Sequence, residues 1–197
     1  MRILIVGATG HVGSAAAAAL KEKHEVVSVS RSTDPSIDLL DPASIQRAFE
    51  QLGSFDAVVS AYGSAPFRPA PELTPEDLTA AFKGKVLSQL NLLRIGLDYV
   101  SDGGSFTLTT GILAREAIPT GSAAAMANGA VESFVMSAAG ELPRGIRLNA
   151  VSPTVLASAP GYFDAFPGFE PVSDERVGRA FVRSVEGIAT GRIYKLD

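Results

Sequence analysis

Three observations predict an α/β protein built on a single, doubly wound parallel sheet with helices on both faces. Strand-like and helix-like segments alternate along the whole chain, a glycine-rich turn follows the first strand directly, and the strands are short continuous apolar runs. Such runs mark strands covered on both sides. With 197 residues, 46% of them hydrophobic, the chain is long enough for one well-buried core and short for two, so residues 1–197 are expected to form one domain.

The first run is "RILIV" at 2–6, followed at once by "GATGHVG". Residues 12–22, rich in alanine, read as a helix, and "EVVSVS" at 25–30 as the second strand, which completes a strand-turn-helix-strand unit. In "DPASIQRAFEQL" Asp41 is an N-cap, Pro42 takes the first helical position, and Ile45, Ala48, Phe49 and Leu52 recur at helical spacing. "FDAVVSAYG" is the next buried strand, ending near Ser60. Thr74 and Pro75 open one long helix that runs to about Tyr99, and "GSFTLTT" at 104–110 is a further strand. A helix from Ser122 to Leu142, the strand "IRLNAVS" at 146–152, a capped helix from Ser173 to Glu186 and a last strand in "GRIYKL" complete the alternation. Residues 153–172 show no regular pattern but hold Tyr162, Phe163, Phe166 and Phe169; a loop of that length in a compact domain is usually functional or mobile.

Composition excludes several classes of function. The net charge is -4 and no run of Lys or Arg occurs, so the attraction that nucleic acid or an anionic membrane requires is missing. No apolar stretch approaches the ~20 residues that span a bilayer, and "MRILIVGATG" is too short and glycine-rich for a signal peptide, so a cytoplasmic location is expected. Cysteine is absent, which removes disulfides, thiolate nucleophiles and sulfur-bound metal. The two histidines, His11 and His24, flank the first helix, far in sequence from any nucleophile elbow, so neither a Ser-His-Asp triad nor a histidine-bound metal is expected. Chemistry in this chain is expected to come from a bound organic cofactor acting on a small-molecule substrate.

"GATGHVG" is where that cofactor would bind. Gly7, Gly10 and Gly13, with Thr9, His11 and Val12 between them, let the backbone turn sharply and come close to a pyrophosphate, and the helix amino terminus adds N–H donors and partial positive charge. The other reading of the trio is a tight strand-to-helix connection. At the end of the second strand, where an acidic side chain would bond the ribose hydroxyl of NAD(H), stand Ser30, Arg31 and Ser32. An arginine pairs instead with a 2'-phosphate, which favours NADP(H) over NAD(H), unless Arg31 is an ordinary solvated loop residue.

These motifs, with Asp38 in "IDLLDPAS", the strand ends "VVSAYG" and "GSFTLTT", the helix "NGAVESFVMSAAGEL" and "RLNAVSPTVLAS", resemble in order and spacing the short-chain dehydrogenase/reductase family, and the likeness runs over essentially all 197 residues. The resemblance implies a Rossmann-type domain with Asp38 beside the adenine, Ser60, Ala61 and Gly63 along the cofactor, and Pro153 and Val155 at the nicotinamide side. It also implies a homodimer or homotetramer formed through the helices at 74–99 and 122–142.

The departures concern the chemistry. The family's tyrosine acid falls on Ala124 and the lysine that tunes it on Asn128, which leaves Asn128 as a cofactor contact; the serine position is Thr110, with Thr109 beside it, and the asparagine position falls near Lys85. Acid catalysis is worth ~10²- to 10⁴-fold, so a replacement is needed for carbonyl reduction. Thr110 can orient a substrate, Lys85 can supply charge or a proton, and Tyr62 can serve as a second donor. Against these stand a snorkelling helix lysine and a packing tyrosine. Three functions follow: an NADP(H)-dependent oxidoreductase of non-standard site, acting on a small, mostly apolar carbonyl or alcohol; a non-redox isomerase, cyclase or lyase; or an inactive nucleotide-binding protein. The aromatic loop at 153–172 would be a lid over an apolar ligand, or would pack on the last helix or a neighbouring subunit.

Overall fold

The computed structural model describes all residues, 1–197. One sheet of six parallel strands runs through it in the order β2-β1-β3-β4-β5-β6: β1 (Arg2–Val6), β2 (Glu25–Val29), β3 (Phe55–Ser60), β4 (Val100–Thr109), β5 (Arg147–Pro153) and β6 (Ile193–Leu196). The chain leaves β1 for β2 on one side and returns to place β3 on the other, so the carboxyl ends of β1 and β3 diverge into a crevice.

The pleat of β1 explains the two cores. Ile3 and Ile5 face α1 (His11–Leu20) and α6 (Asp174–Glu186), where Leu20, Val177 and Phe181 complete a buried cluster. Leu4 and Val6 face the opposite side, with α2 (Pro42–Leu52), α4 (Ser88–Gly96) and α5 (Ser122–Ala138) behind them, and Phe49, Leu92, Phe106 and Val131 in the larger cluster. The β1 run is thus buried on both faces, whereas the edge strands β2 and β6 are only partly covered. No helix is long and apolar enough to cross a membrane.

Three expected elements differ. The helix expected over 74–99 is divided: a capping box at Thr74 and Asp77 starts α3 (Pro75–Ala81), a π-helical turn occupies Phe82–Leu87, and α4 ends at Gly96. α5 stops at Ala138, four residues short of Leu142, and Arg144 and Gly145 then take positive φ to turn the chain into β5. β4 begins at Val100 because Val100 pairs with Phe55 before an irregularity resets the register. Residues 153–172 are also more ordered than expected: Leu156 bridges to Val172 and a 3-10 helix spans Pro160–Ala165.

α1 and α6 approach so closely that glycine is required at their crossing. A Cβ on Gly178 would lie 2.8 Å from both the Ala15 carbonyl oxygen and the Ala19 Cβ. Gly178→Leu is expected to lower the stability measured by urea unfolding by about 1–3 kcal/mol, the usual cost of overpacking.

Candidate active site

A cleft of about 420 Å³ opens at the carboxyl ends of β1, β3, β4 and β5, where the alternation of strand and helix places a ligand site. Its floor near β1 is the turn into α1. Gly7 has φ +87°, and a Cβ there would lie 2.7 Å from the Ala61 carbonyl oxygen; one on Gly13 would lie 2.0 Å from the Gly7 carbonyl oxygen. Two of the three glycines therefore serve the turn itself. Gly10 alone of the trio lines the cleft, and a Cβ there would meet nothing closer than 3.7 Å. As N-cap of α1 it supplies no side-chain acceptor, which leaves the first-turn N–H groups open to an anion.

Lys85 enters from the π-helical turn. In that turn Ser88 N–H bonds back to Lys83 O, so Gly84 O loses its α-helical donor and accepts instead from Ser64 N at 3.3 Å and from a side chain nearby. The Ser88 hydroxyl donates to Gly84 O at 2.9 Å, and the Gln89 amide donates to Lys85 O at 3.0 Å. Gln89 is wholly buried and also grips the end of β4, donating to Thr109 O at 2.9 Å and accepting from Thr109 N at 2.8 Å. Thr109 in turn donates from Oγ1 to Ser60 O at 2.7 Å. The Lys85 side chain lies across Gly63, where a Cβ would stand 2.3 Å from its Cδ and 2.8 Å from its Nζ. It forms no ion pair, and burial pushes its pKa down to about 8.

Thr110 lines the same cleft from just beyond β4. Its hydroxyl donates to Glu132 Oε1 at 2.9 Å, and Ser152 donates to the same oxygen at 2.7 Å. Arg115 donates to Ser152 Oγ at 2.8 Å and stands 3.9 Å from Glu132 Oε1. It also pairs with the Asp197 carboxylate. Glu132 escaped the sequence reading because its partners lie 20 and 22 residues away on the tips of neighbouring strands. The available signal was its spacing: one turn after Asn128, on the same side of the helix.

The cleft brings together Gly10, His11, Val12, Ala61, Gly63, Lys85, Thr110, Asn128, Pro153 and Val155 from the residues singled out in sequence. Asn128 and Thr154 line its wall, and their Oδ1 and Oγ1 are buried there with no protein partner. Together with the glycine turn they fit a nucleotide. His11 reaches Ser158 at 3.3 Å, tying the start of α1 to the covering segment. Tyr62 does not line the cleft; it packs half-buried on the larger core. Gly7, Thr9, Gly13 and Ser60 also lie outside the lining. Arg31 and Ser32 are exposed beyond it, Arg31 without a carboxylate partner, and Asp38 is half-buried with Oδ1 accepting from Leu40 N at 2.9 Å.

The remaining walls are apolar: Ala65, Phe67, Ile112, Leu113, Ala124 and Leu156 among them, and no acidic residue lines the cleft. Of the four loop aromatics Tyr162 and Phe166 line it. Phe169 stacks edge-on against Phe166 at 5.7 Å, and both rest on Ile112, Leu113, Ile118 and Ala124. Phe163 is exposed and off the lining.

A family model described as enoyl-(acyl carrier protein) reductase matches residues 6–189. An L-2,3-butanediol dehydrogenase from Corynebacterium glutamicum is 28% identical over 165 residues, 79% of this chain and 63% of that protein's length, so the chain falls well short of that relative's full extent. Among solved structures, the protein lin1944 from Listeria innocua is 47% identical, with full coverage of both chains and a TM-score of 0.97. A small-chain dehydrogenase in complex with NADPH is 24% identical, with a TM-score of 0.85 over 100% of this chain and 96% of its own, a likeness of fold.

The lowered pKa of Lys85 has a consequence for stability. Between about pH 8 and pH 10.5 the folded protein binds fewer protons here than the unfolded chain, so this group opposes folding at pH 7 and its penalty fades as the pH rises through that window. Lys85→Met is expected to be more stable than the wild type at pH 7, by roughly 1–3 kcal/mol, with the difference in urea midpoint shrinking towards pH 10.

Proposed function

The chain belongs to the short-chain dehydrogenase/reductase family, and from that premise we propose that it is an NADP(H)-dependent oxidoreductase acting on a small, mostly apolar alcohol or carbonyl compound. The observation that carries the reading is one cleft in which a glycine turn and a helix amino terminus adjoin an apolar chamber holding an unpaired lysine and a threonine hydroxyl. When bound, a nicotinamide dinucleotide supplies or accepts a hydride there.

The residues divide by task. Gly10, His11 and Val12 receive the pyrophosphate at the start of α1. Arg31, free of carboxylates at the end of β2, receives the 2'-phosphate, and Asp38 borders the adenine. Ala61 and Gly63 run along the cofactor, Pro153 and Val155 meet its nicotinamide side, and Asn128 borders it. The apolar walls hold the substrate and exclude water. Thr110 orients the reacting oxygen, and the Lys85 ammonium, poorly solvated and without a counter-ion, stabilises negative charge that develops on it. NADPH in the small-chain dehydrogenase of like fold supports this choice of cofactor.

Ala124 at the tyrosine position favours a second reading, a protein that binds the nucleotide without turnover. Fluorescence titration with NADPH and NADH separately, followed by cofactor consumption on a carbonyl panel, distinguishes the two. Tight NADPH binding with steady consumption is expected, and Lys85→Ala or Thr110→Val should each reduce kcat by about 100-fold. Arg31→Ala should weaken NADPH about tenfold, the loss of one charge-assisted bond, and leave NADH unchanged. Binding without consumption on any carbonyl supports the second reading.

We further infer a homodimer or homotetramer, on the strength of exposed apolar side chains along the α3 to α5 surface, among them Leu78, Phe82, Leu87, Met126 and Met136. Light scattering at micromolar concentration is expected to give a multiple of the chain mass; a monomeric mass overturns the inference.

A further inference from the structure

Glu132 is the acid nearest the reacting end of the cleft, with its side chain 12% exposed. Its Oε1 receives two hydroxyl protons, from Thr110 and Ser152, while Oε2 accepts from no protein group. A threonine hydroxyl has one proton. Since Thr110 directs that proton to Glu132, Oγ1 presents only lone pairs to the cleft. A ligand hydroxyl can donate to it, whereas a carbonyl oxygen would meet another acceptor. With Glu132 ionised the arrangement therefore receives an alcohol, and the same relay run backwards from a protonated Glu132 delivers a proton to a carbonyl oxygen.

We propose that Glu132 is the proton acceptor of the cleft: it draws the proton of a bound alcohol through Thr110, so that Thr110 touches the substrate and Glu132 acts through it. The assignment rests on the oxidoreductase reading of the cleft. In the step, the alcohol O–H bond breaks and its proton passes to Thr110 Oγ1 while the proton of Thr110 passes to Glu132 Oε1. The carbon–hydrogen bond breaks with its electron pair, and the hydride acceptor is an oxidised nicotinamide dinucleotide. The carbonyl product leaves, and Glu132 returns its proton through Thr110 to water. Lys85 assists from the cleft side by stabilising the alkoxide charge as the O–H bond weakens.

A purely structural role is also open to Glu132, as a staple holding α5 to the end of β5 through Ser152 and Arg115. Glutamine separates the two roles. Its oxygen can accept both hydroxyls and its nitrogen can take the place of the unused Oε2, so a staple survives the exchange while a proton acceptor does not.

The experiment compares wild type with Glu132→Gln in three measurements. NADPH affinity by fluorescence is expected to be unchanged. Time-resolved infrared difference spectra of a single turnover of cyclohexanol by the NADP+ complex are expected to show a transient protonated-carboxyl band in the wild type that shifts on isotopic labelling of glutamate and is missing from the variant. The kcat/KM for NADP+ reduction with cyclohexanol is expected to fall about 100-fold or more, the scale of a lost general base. A variant that keeps the wild-type kcat/KM, or a wild type without the band, overturns the assignment and leaves the oxidoreductase reading standing. A wild type that binds neither NADPH nor NADP+ overturns that reading, and the assignment falls with it.

Discussion

The cleft depends on one buried amide. Gln89 holds the π-helical turn that carries Lys85 against the tip of β4 that leads into Thr110, using its oxygen and nitrogen on three backbone groups. Thr109, so held, extends the grip to the carbonyl of Ser60 at the tip of β3. A fully buried amide left without these partners would cost its whole desolvation penalty, so the three elements are locked together or the fold is weakened. The wide turn has the same logic. It is tolerated because Ser88 and Ser64 donate to the Gly84 carbonyl it releases, and it carries the lysine into the cleft.

Much of this architecture is legible in the sequence because it rests on local pattern. Apolar runs of strand length, the capping residues Asp41, Thr74 and Ser173, and the glycines after the first strand depend on neighbours a few positions away. The π-helical turn is not legible: "FKGKVLSQL" has helical periodicity, and the turn packs Gly84 against Ser64, twenty positions away, whose carbonyl would lie 2.7 Å from a Cβ on Gly84. Glu132 is hidden for a similar reason. In "NGAVESF" it looks like a solvent-facing helix residue, and only the pairing of β4 with β5 brings Thr110 and Ser152 to it. The glycine trio was legible as a site but not in its division of labour, since whether a glycine serves the turn or the ligand depends on which atoms face its α-hydrogens.

Charge is apportioned between the two sides of the site in opposite ways. Glu132 is surrounded by donors and by Arg115, itself paired with Asp197, so its negative charge is satisfied within the protein. Lys85 has no such shell. Its ammonium is held partly out of water beside Gly63, with no carboxylate on any wall of the cleft. An unpaired buried cation costs stability, and that cost is recovered when a ligand brings negative charge, either standing or developing.

This division also explains how the first turns of the helix at 122–138 can present Ala124 and Asn128 to the cleft without loss of the fold. Ala124 and Asn128 are buried on its inner face, where a small side chain and a neutral amide cost little. The tips of β3 and β4 are positioned by Gln89 and Thr109, and the tip of β5 by Ser152, Arg115 and Glu132, none of which needs a tyrosine or a lysine on that face. Chemistry on this scaffold is thus separable from support. The small side chain of Ala124 leaves the apolar chamber open on that side, and Lys85, Thr110 and Glu132 come from elsewhere: the π-helical turn, the end of β4 and a later turn of the same helix. A site distributed in this way keeps its geometry only as long as the buried polar contacts among strand tips are complete, so the fold and the chemistry share the same few hydrogen bonds.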